Sequence, residues 1–226
     1  MKEKCLLIGV VAFLGLALVA HWVPYFSHDL AITLWLQSLA QPGMRALMTL
    51  VSVPGNGAWR SYVIAFIFYT ALFLAGKRWE AECGALSAFG GSLISSFFKW
   101  FVGRPRPSLE LVQVSAVTNY GSFPSGHVVH YVTFYGFLCF VVIGLIPHRF
   151  VRVCLQLAGS VLVLLVGASR IYLGAHWTSD VIGGYLLGAL WLWLCIQVYR
   201  QRTNGIRGDT INYHESGRTP DHCSND

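Results

Sequence analysis

Six continuous apolar runs constrain this chain more than any other feature: Cys5–Val23, Ser61–Ala75, Ala85–Val102, Val128–Ile146, Val151–Ala168 and Val181–Val198. Each approaches or exceeds the ~17–25 residues a helix needs to cross a bilayer, allowing for a few flanking positions. The runs lack the every-second-residue alternation of a barrel strand, so helices are expected rather than sheet. Only 12% of the 226 residues are charged, while 55% are hydrophobic. A soluble domain carries about 25% charged residues. With a mean hydropathy of +0.56, this chain cannot cover itself with polar groups, and lipid must be part of its solvent. The expected fold is all-α: a polytopic membrane bundle of six transmembrane helices with short interfacial helices. The transmembrane domain spans residues 1–200, and 201–226 form a polar, disordered cytoplasmic tail.

Details around the runs refine this picture. Lys2 and Lys4 precede the first run, as they would in a secretory signal. The run is long and its cleavage pattern poor, so an uncleaved helix is expected. Residues 24–60 hold two sets of apolar residues at helical spacing, Ile32, Trp35, Leu36, Leu39 and Met44, Leu47, Met48, Val51, separated by Pro42-Gly43. They fit two amphipathic helices on the membrane surface, or equally a loop packed over the bundle. Trp59, Trp177, Trp191 and Trp193 suit an interfacial aromatic belt. The six cysteines form no C-x-x-C pair and lie mostly within apolar runs, so neither a zinc site nor a disulfide framework is expected.

The net charge of +6 does not imply nucleic acid, because the basic residues sit between apolar runs rather than along a polar stripe. Their distribution sets orientation. With a cytoplasmic N-terminus, ten Lys and Arg residues fall inside and six outside. The positive-inside rule then places both termini of this multi-pass protein in the cytoplasm.

Ionisable groups beside membrane spans are costly and usually functional. Here they form three clusters: Lys99 with Arg104 and Arg106 after the third run; Ser125-Gly126-His127 at the start of the fourth; and Ser169-Arg170 after the fifth, with His176 and Asp180 opening the sixth. Alternation of spans puts all three clusters on one membrane face, the outer one by the charge count. Lys99, Arg106 and Arg170 are balanced only by Glu110 and Asp180 among nearby acids, so an anion is expected among them, and phosphate suits guanidinium donors. Arg104 fits a lipid-headgroup anchor as well as it fits the site. Ser125 adds a hydroxyl, and Gly126 lets backbone N–H groups approach an anion just before a helix begins. His176 and Asp180 are four apart, which on a helix places them on one face. A carboxylate there would fix the imidazole tautomer and leave the other nitrogen to attack. His130 lies three residues after His127 with no third ligand in view, so a helix-face or substrate-lining role is expected rather than a metal pair.

These residues resemble the tripartite signature of the type 2 phosphatidic acid phosphatase superfamily, which includes bacterial undecaprenyl-diphosphate and phosphatidylglycerophosphate phosphatases. The signature reads K-x6-R-P, P-S-G-H and S-R-x5-H-x3-D. Here it is Lys99 to Arg106-Pro107, Pro124 to His127, and Ser169-Arg170 to His176 to Asp180. The resemblance runs from about Ile32 to Val198 and includes the order of spans. It implies a catalytic set of His176 as nucleophile, Asp180 as its orienting group and His127 as general acid. Lys99, Arg106, Ser125, Gly126 and Arg170 would bind the phosphoryl oxygens. It implies a lipid phosphate or diphosphate substrate, a phosphohistidine intermediate, and neither metal nor other cofactor. Which lipid is cleaved, whether the acceptor is water or another hydroxyl, and the oligomeric state stay open. A transporter or lipid-binding protein fits less well, since the charges lie at span ends and no inverted repeat is present.

Overall fold

The computed structural model describes residues 2–39, 41–55, 58–115 and 120–216. Among them there are helices and turns but no strand. Helix α1 spans Lys2–Trp22, α2 Ser27–Ser38, α3 Met44–Ser52, α4 Ala58–Leu74, α5 Arg78–Ala85, α6 Gly91–Val102, α7 Gly126–Leu145, α8 Arg149–Tyr172 and α9 Thr178–Ser216. Five stretches are long and apolar enough to cross a membrane: α1, α5 with α6, α7, α8 and the Thr178–Asn204 part of α9. A sixth arises if α3 and α4, bent by 57° at the turn between them, count as one broken span. The all-helical membrane fold is thus as expected, with five to six candidate spans among the described residues.

Lipid-facing positions stay apolar: Leu7, Ile8, Phe66, Leu164 and Leu194 are all exposed. In water such a surface would drive aggregation, whereas in hydrocarbon it costs nothing. Between α5 and α6 the chain makes a π-turn, Leu86–Gly90. Such a turn frees carbonyls that lipid cannot satisfy. The Trp191 indole donates to the carbonyls of Leu86 and Ser87 at 3.3 and 3.1 Å. Trp191 is therefore tied into the bundle. Trp177, expected in the aromatic belt, is instead 1% exposed, stacks on Tyr25 and donates to the Pro105 carbonyl at 3.3 Å. It is large enough to fill the space between three elements, and its one polar atom finds an acceptor.

Segments α2 and α3 pack over the bundle as short helices, joining the two readings left open above. Of the expected apolar stripe on α2, only Leu36 meets the core. Ile32, Trp35 and Leu39 face outward. The buried stripe is the polar one, Asp29, Thr33 and Gln37. Gln37 donates to the carbonyls of Gln113 and Tyr172 and accepts from the Gln113 N–H. Helix α9 continues to Ser216, carrying the last span into the segment expected as a disordered tail. No proline interrupts residues 201–216, so the backbone ladder of the span can propagate. Residues 217–226, with Arg218 and Cys223, lie outside the described residues, as does the Trp59 side chain. Cys5, Cys83, Cys139, Cys154 and Cys195 are free.

Helix α7 is central, packing on α6, α8 and α9. Its approach to α9 depends on Gly184 and Gly188, one turn apart. A Cβ on Gly184 would lie 2.9 Å from the Ser125 carbonyl oxygen and from Val128 Cβ. One on Gly188 would lie 2.9 Å from Val132 Cβ. Small residues one turn apart let membrane helices pack closely. Gly188→Leu should force α7 and α9 apart and cost about 1–3 kcal/mol as overpacking. A lowered unfolding temperature in detergent is the expected reading, and an unchanged one would contradict this packing.

Candidate active site

The three charged clusters meet at one end of the bundle, as the alternation of spans requires. Lys99 lies in the last turn of α6. Ser125 occupies the N-cap position of α7 without a side-chain cap bond, and Arg170 lies in the last turn of α8. His176 sits in the short connection to α9, and Asp180 is in the first turn of that helix. Two glycines in left-handed conformation make the turns: Gly103 (φ +61°) ends α6 and Gly174 (φ +63°) follows α8. Such positions close helix C-termini and disfavour any side chain. At Gly174 a Cβ would also lie 2.1 Å from the Gln113 carbonyl oxygen.

The spacing of His176 and Asp180 brings them together by a route other than the one expected. His176 is not on a helix. Asp180 reaches back from the first turn of α9 and accepts the Trp177 N–H through Oδ2 at 2.9 Å. That bond satisfies an orphan donor at the helix start and aims the carboxylate at the residue just before. His176 Nδ1 is 3.6 Å from Asp180 Oδ2 and 3.4 Å from Ser122 Oγ. Ser122, wholly buried, donates its hydroxyl proton to Asp180 Oδ2. The Ser122 hydroxyl therefore lies beside the imidazole and the carboxylate, within reach of both.

On the other edge of the ring, Arg106 Nη1 lies 3.4 Å from His176 Nε2. An arginine can only donate, so Nε2 is the accepting nitrogen and the ring proton belongs on Nδ1, beside Ser122 and Asp180. Burial, with Lys99, Arg106 and Arg170 nearby, holds the His176 imidazole well below its usual range and keeps it neutral.

The cations are held by carbonyls. Lys99 Nζ donates to the Gly121 and Ser122 oxygens at 3.1 and 3.3 Å. Arg106 donates to Tyr120 and Ala175 oxygens, both at 2.9 Å. Arg170 Nη1 donates to Ser52 Oγ at 3.2 Å, while its buried Nε has no hydrogen-bond partner. Ser125 Oγ is also buried without a partner. The Ser125 N–H donates to the Asp180 carbonyl at 3.0 Å, joining the second cluster to the third. Gly126 faces Lys99: a Cβ there would lie 3.3 Å from Lys99 Cε. Two buried donors left unpaired beside three cations form a site suited to an anion.

Arg104 belongs to the interior and not to the headgroup region. It is 1% exposed. Its Nη1 donates to Asp180 Oδ1 and Ser179 Oγ, both at 2.7 Å, and its Nη2 to Asp29 Oδ2 at 3.1 Å. Its Nε meets the Val23 and Pro24 oxygens. Asp29 accepts also from the Ser179 N–H and hydroxyl at 2.8 and 2.7 Å. Glu110, expected among the balancing acids, is exposed beside Leu34 and Gln37 on the outside of α2. The second carboxylate at this end is Asp29. Its signal in the sequence was the polar repeat Asp29, Thr33, Gln37 at helical spacing. His130 is buried against Phe134, with ring centroids 5.6 Å apart, and its Nδ1 has no partner.

Removing the Arg104 charge would strand two buried carboxylates. Arg104→Met should cost about 3–5 kcal/mol, the usual loss when one member of a buried ion pair is deleted. Thermal unfolding in detergent checks this, and a near-neutral result would show that the cluster contributes little.

Comparison with known proteins fits this arrangement of spans and charges. The model of the PAP2 superfamily matches residues 81–204, which hold every signature residue. Phosphatidylglycerophosphatase B of Bacillus subtilis (strain 168) is 30% identical over 185 residues, covering 80% of this chain and 88% of that one. Lipid A 1-phosphatase of Rhizobium johnstonii is 26% identical over 172 residues, covering 67% and 66%. Among solved structures, a transmembrane PAP2-type phosphatidylglycerolphosphate phosphatase from Bacillus subtilis superposes with a TM-score of 0.76 at 25% identity, over 87% of this chain and 96% of that one. With the matched family model covering more than half its length and a solved PAP2-type bundle superposing on it, this chain belongs to the PAP2 superfamily.

Proposed function

We propose that this protein is an integral-membrane lipid phosphatase in which His176 Nε2 attacks the phosphorus of a lipid phosphate or diphosphate. The observation that carries the reading is the placement of the His176 ring, with Nδ1 beside Ser122 and Asp180 and Nε2 facing the Arg106 donor. A neutral imidazole is the form that attacks. As the N–P bond forms, the P–O bond to the leaving oxygen breaks, and His127 donates the proton that oxygen needs. Water, deprotonated by His127, then attacks the phosphohistidine and releases phosphate. Lys99, Arg106, Arg170, Ser125 and the Gly126 N–H stabilise the equatorial oxygens, the main requirement of phosphoryl transfer. The three cations stand where a metal would otherwise neutralise charge.

A lipid substrate suits a site at the end of a bundle whose flanks are apolar. The headgroup reaches the cations while its chain stays in hydrocarbon, each buried methylene adding about 0.8 kcal/mol. The named relatives act on phosphatidylglycerophosphate and lipid A 1-phosphate, and both are phosphorylated lipids. Phosphate release by the purified protein from such lipids should persist in excess chelator and rise with acyl or prenyl length at constant surface fraction in micelles. His176→Ala should abolish it together with any acid-labile phosphoenzyme. Release that needs added magnesium, equal rates on a short soluble phosphate, or phosphate trapped on His127 would each defeat one part of the proposal.

The site is proposed to face away from the cytoplasm, on the ten-to-six distribution of basic residues. Leu109, 70% exposed in the connection between α6 and α7, offers a test. In a background without the six native cysteines, Leu109→Cys should react with an impermeant thiol reagent on intact cells. Reaction only after lysis would reverse the orientation.

A further inference from the structure

The turn between α3 and α4 forms a wall of the site that no signature residue announces. Val51 packs in the core with Val128, Tyr131, Val166 and Val181, and its carbonyl accepts the Tyr131 hydroxyl at 2.6 Å. The turn Val53–Gly55 then runs against His127. A Cβ on Gly55 would lie 2.4 Å from His127 Cδ2 and 3.1 Å from its Nε2. Between these two contacts stands Ser52, fully buried at the end of α3.

Ser52 Oγ lies 2.9 Å from Ser169 Oγ and 3.2 Å from Arg170 Nη1. The directions of these bonds are fixed by counting protons. Arg170 can only donate. The Ser169 hydroxyl donates to the Val166 carbonyl at 2.8 Å, so toward Ser52 it can only accept. Ser52 must therefore donate to Ser169 and accept from Arg170. The chain runs one way, from Arg170 through Ser52 and Ser169 to the backbone of α8. Its last acceptor is a helix carbonyl with a fixed place, and bonds in such a series polarise one another.

We infer that Ser52 is a positioning residue for phosphoryl binding: its hydroxyl anchors one nitrogen of Arg170 and leaves the buried, unpartnered Nε to a phosphoryl oxygen. This rests on the proposed role of Arg170 in holding the phosphoryl group. A flexible arginine loses rotamer freedom when it binds, and an anchored one has already lost it. Ser169 then acts through Ser52, setting the direction of its proton.

The test uses orthovanadate, which mimics the five-coordinate phosphoryl group, on the purified full-length protein. Ser52→Ala keeps the shape of the site, and Val51 with Tyr131 still holds α3. Its vanadate inhibition constant should rise on the order of tenfold, the usual effect of one hydrogen bond to a charged group, with little change in unfolding temperature. Arg170→Met should raise the constant further. In the double variant, Ser52→Ala should add nothing, because the two residues act as one unit. A wild-type constant in Ser52→Ala, or additive effects in the double variant, would overturn the inference. If Ser52→Ala instead lowers the unfolding temperature, Ser169→Ala gives the second reading. It frees the Ser52 proton to oppose Arg170, so the constant should rise there too, and an unchanged value would overturn the inference. If Arg170→Met itself leaves vanadate inhibition untouched, the phosphate-binding role of Arg170 fails, which is a different result from failure of Ser52 alone.

Discussion

The buried contact of Arg104 with Asp29 and Asp180 is the interaction on which the rest of the site depends. It joins the start of α2 to the start of α9 through side chains that are almost wholly excluded from solvent. The Arg104 guanidinium reaches both carboxylates and balances their charge in a medium of low dielectric, where an unpaired buried charge is costly. Ser179 completes the arrangement by donating to Asp29 from its backbone and its hydroxyl. Asp180 is thereby fixed at three points, by Arg104, the Trp177 N–H and Ser122. Its remaining neighbour is His176.

The structure separates cations that the sequence presents as equals. Arg104 and Arg106 are two positions apart in one Pro-rich stretch, and nothing in their spacing says which faces the ligand. In the structure every nitrogen of Arg104 is engaged with protein. Lys99, Arg106 and Arg170 instead rest on uncharged acceptors: carbonyls for the first two, joined by the His176 ring for Arg106, and a hydroxyl for the third. A carbonyl can orient a cation without cancelling its charge. Around the site itself, Lys99, Arg104, Arg106 and Arg170 face Asp29 and Asp180, a formal excess of basic over acidic side chains that suits an anion.

The spans and the meeting of the three clusters were legible in the sequence, because both follow from rules of length and alternation that no packing detail can override. Residues chosen by local chemistry were harder to place. The i,i+4 spacing of His176 and Asp180 suggested a shared helix face, whereas the contact arises from Asp180 capping α9 while His176 stands outside it. On α2 the apolar stripe was visible but its direction was not. In water Ile32, Trp35 and Leu39 would turn inward. Beside lipid they turn outward, and Asp29, Thr33 and Gln37 take the interior. Ser52 and Ser122 carried no signal at all. A single serine in an apolar or turn segment has no period, and its importance lies in partners more than fifty residues away.

The connection between α6 and α7 shows how a bundle of rigid spans can hold a preorganised site. Lys99 ends one span and His127 begins the next, and the segment between them returns to supply acceptors to the cations that precede it. Gly121 accepts from both Lys99 and Arg106. A Cβ on Gly121 would lie 2.5 Å from the Lys99 carbonyl oxygen, so a bare backbone is what lets this segment lie against α6. Ser122 in turn donates its N–H to the Arg104 carbonyl at 2.8 Å while its hydroxyl serves Asp180. The same few residues therefore orient the cations, fix the segment to the end of α6, and set the proton position on His176. Dipoles fixed in this way need little reorganisation when charge develops on a phosphoryl group. Hydrocarbon would not tolerate such carbonyls and amides left exposed. Here they find their partners inside the protein, so the polar cluster can lie at the end of spans whose outer faces are apolar.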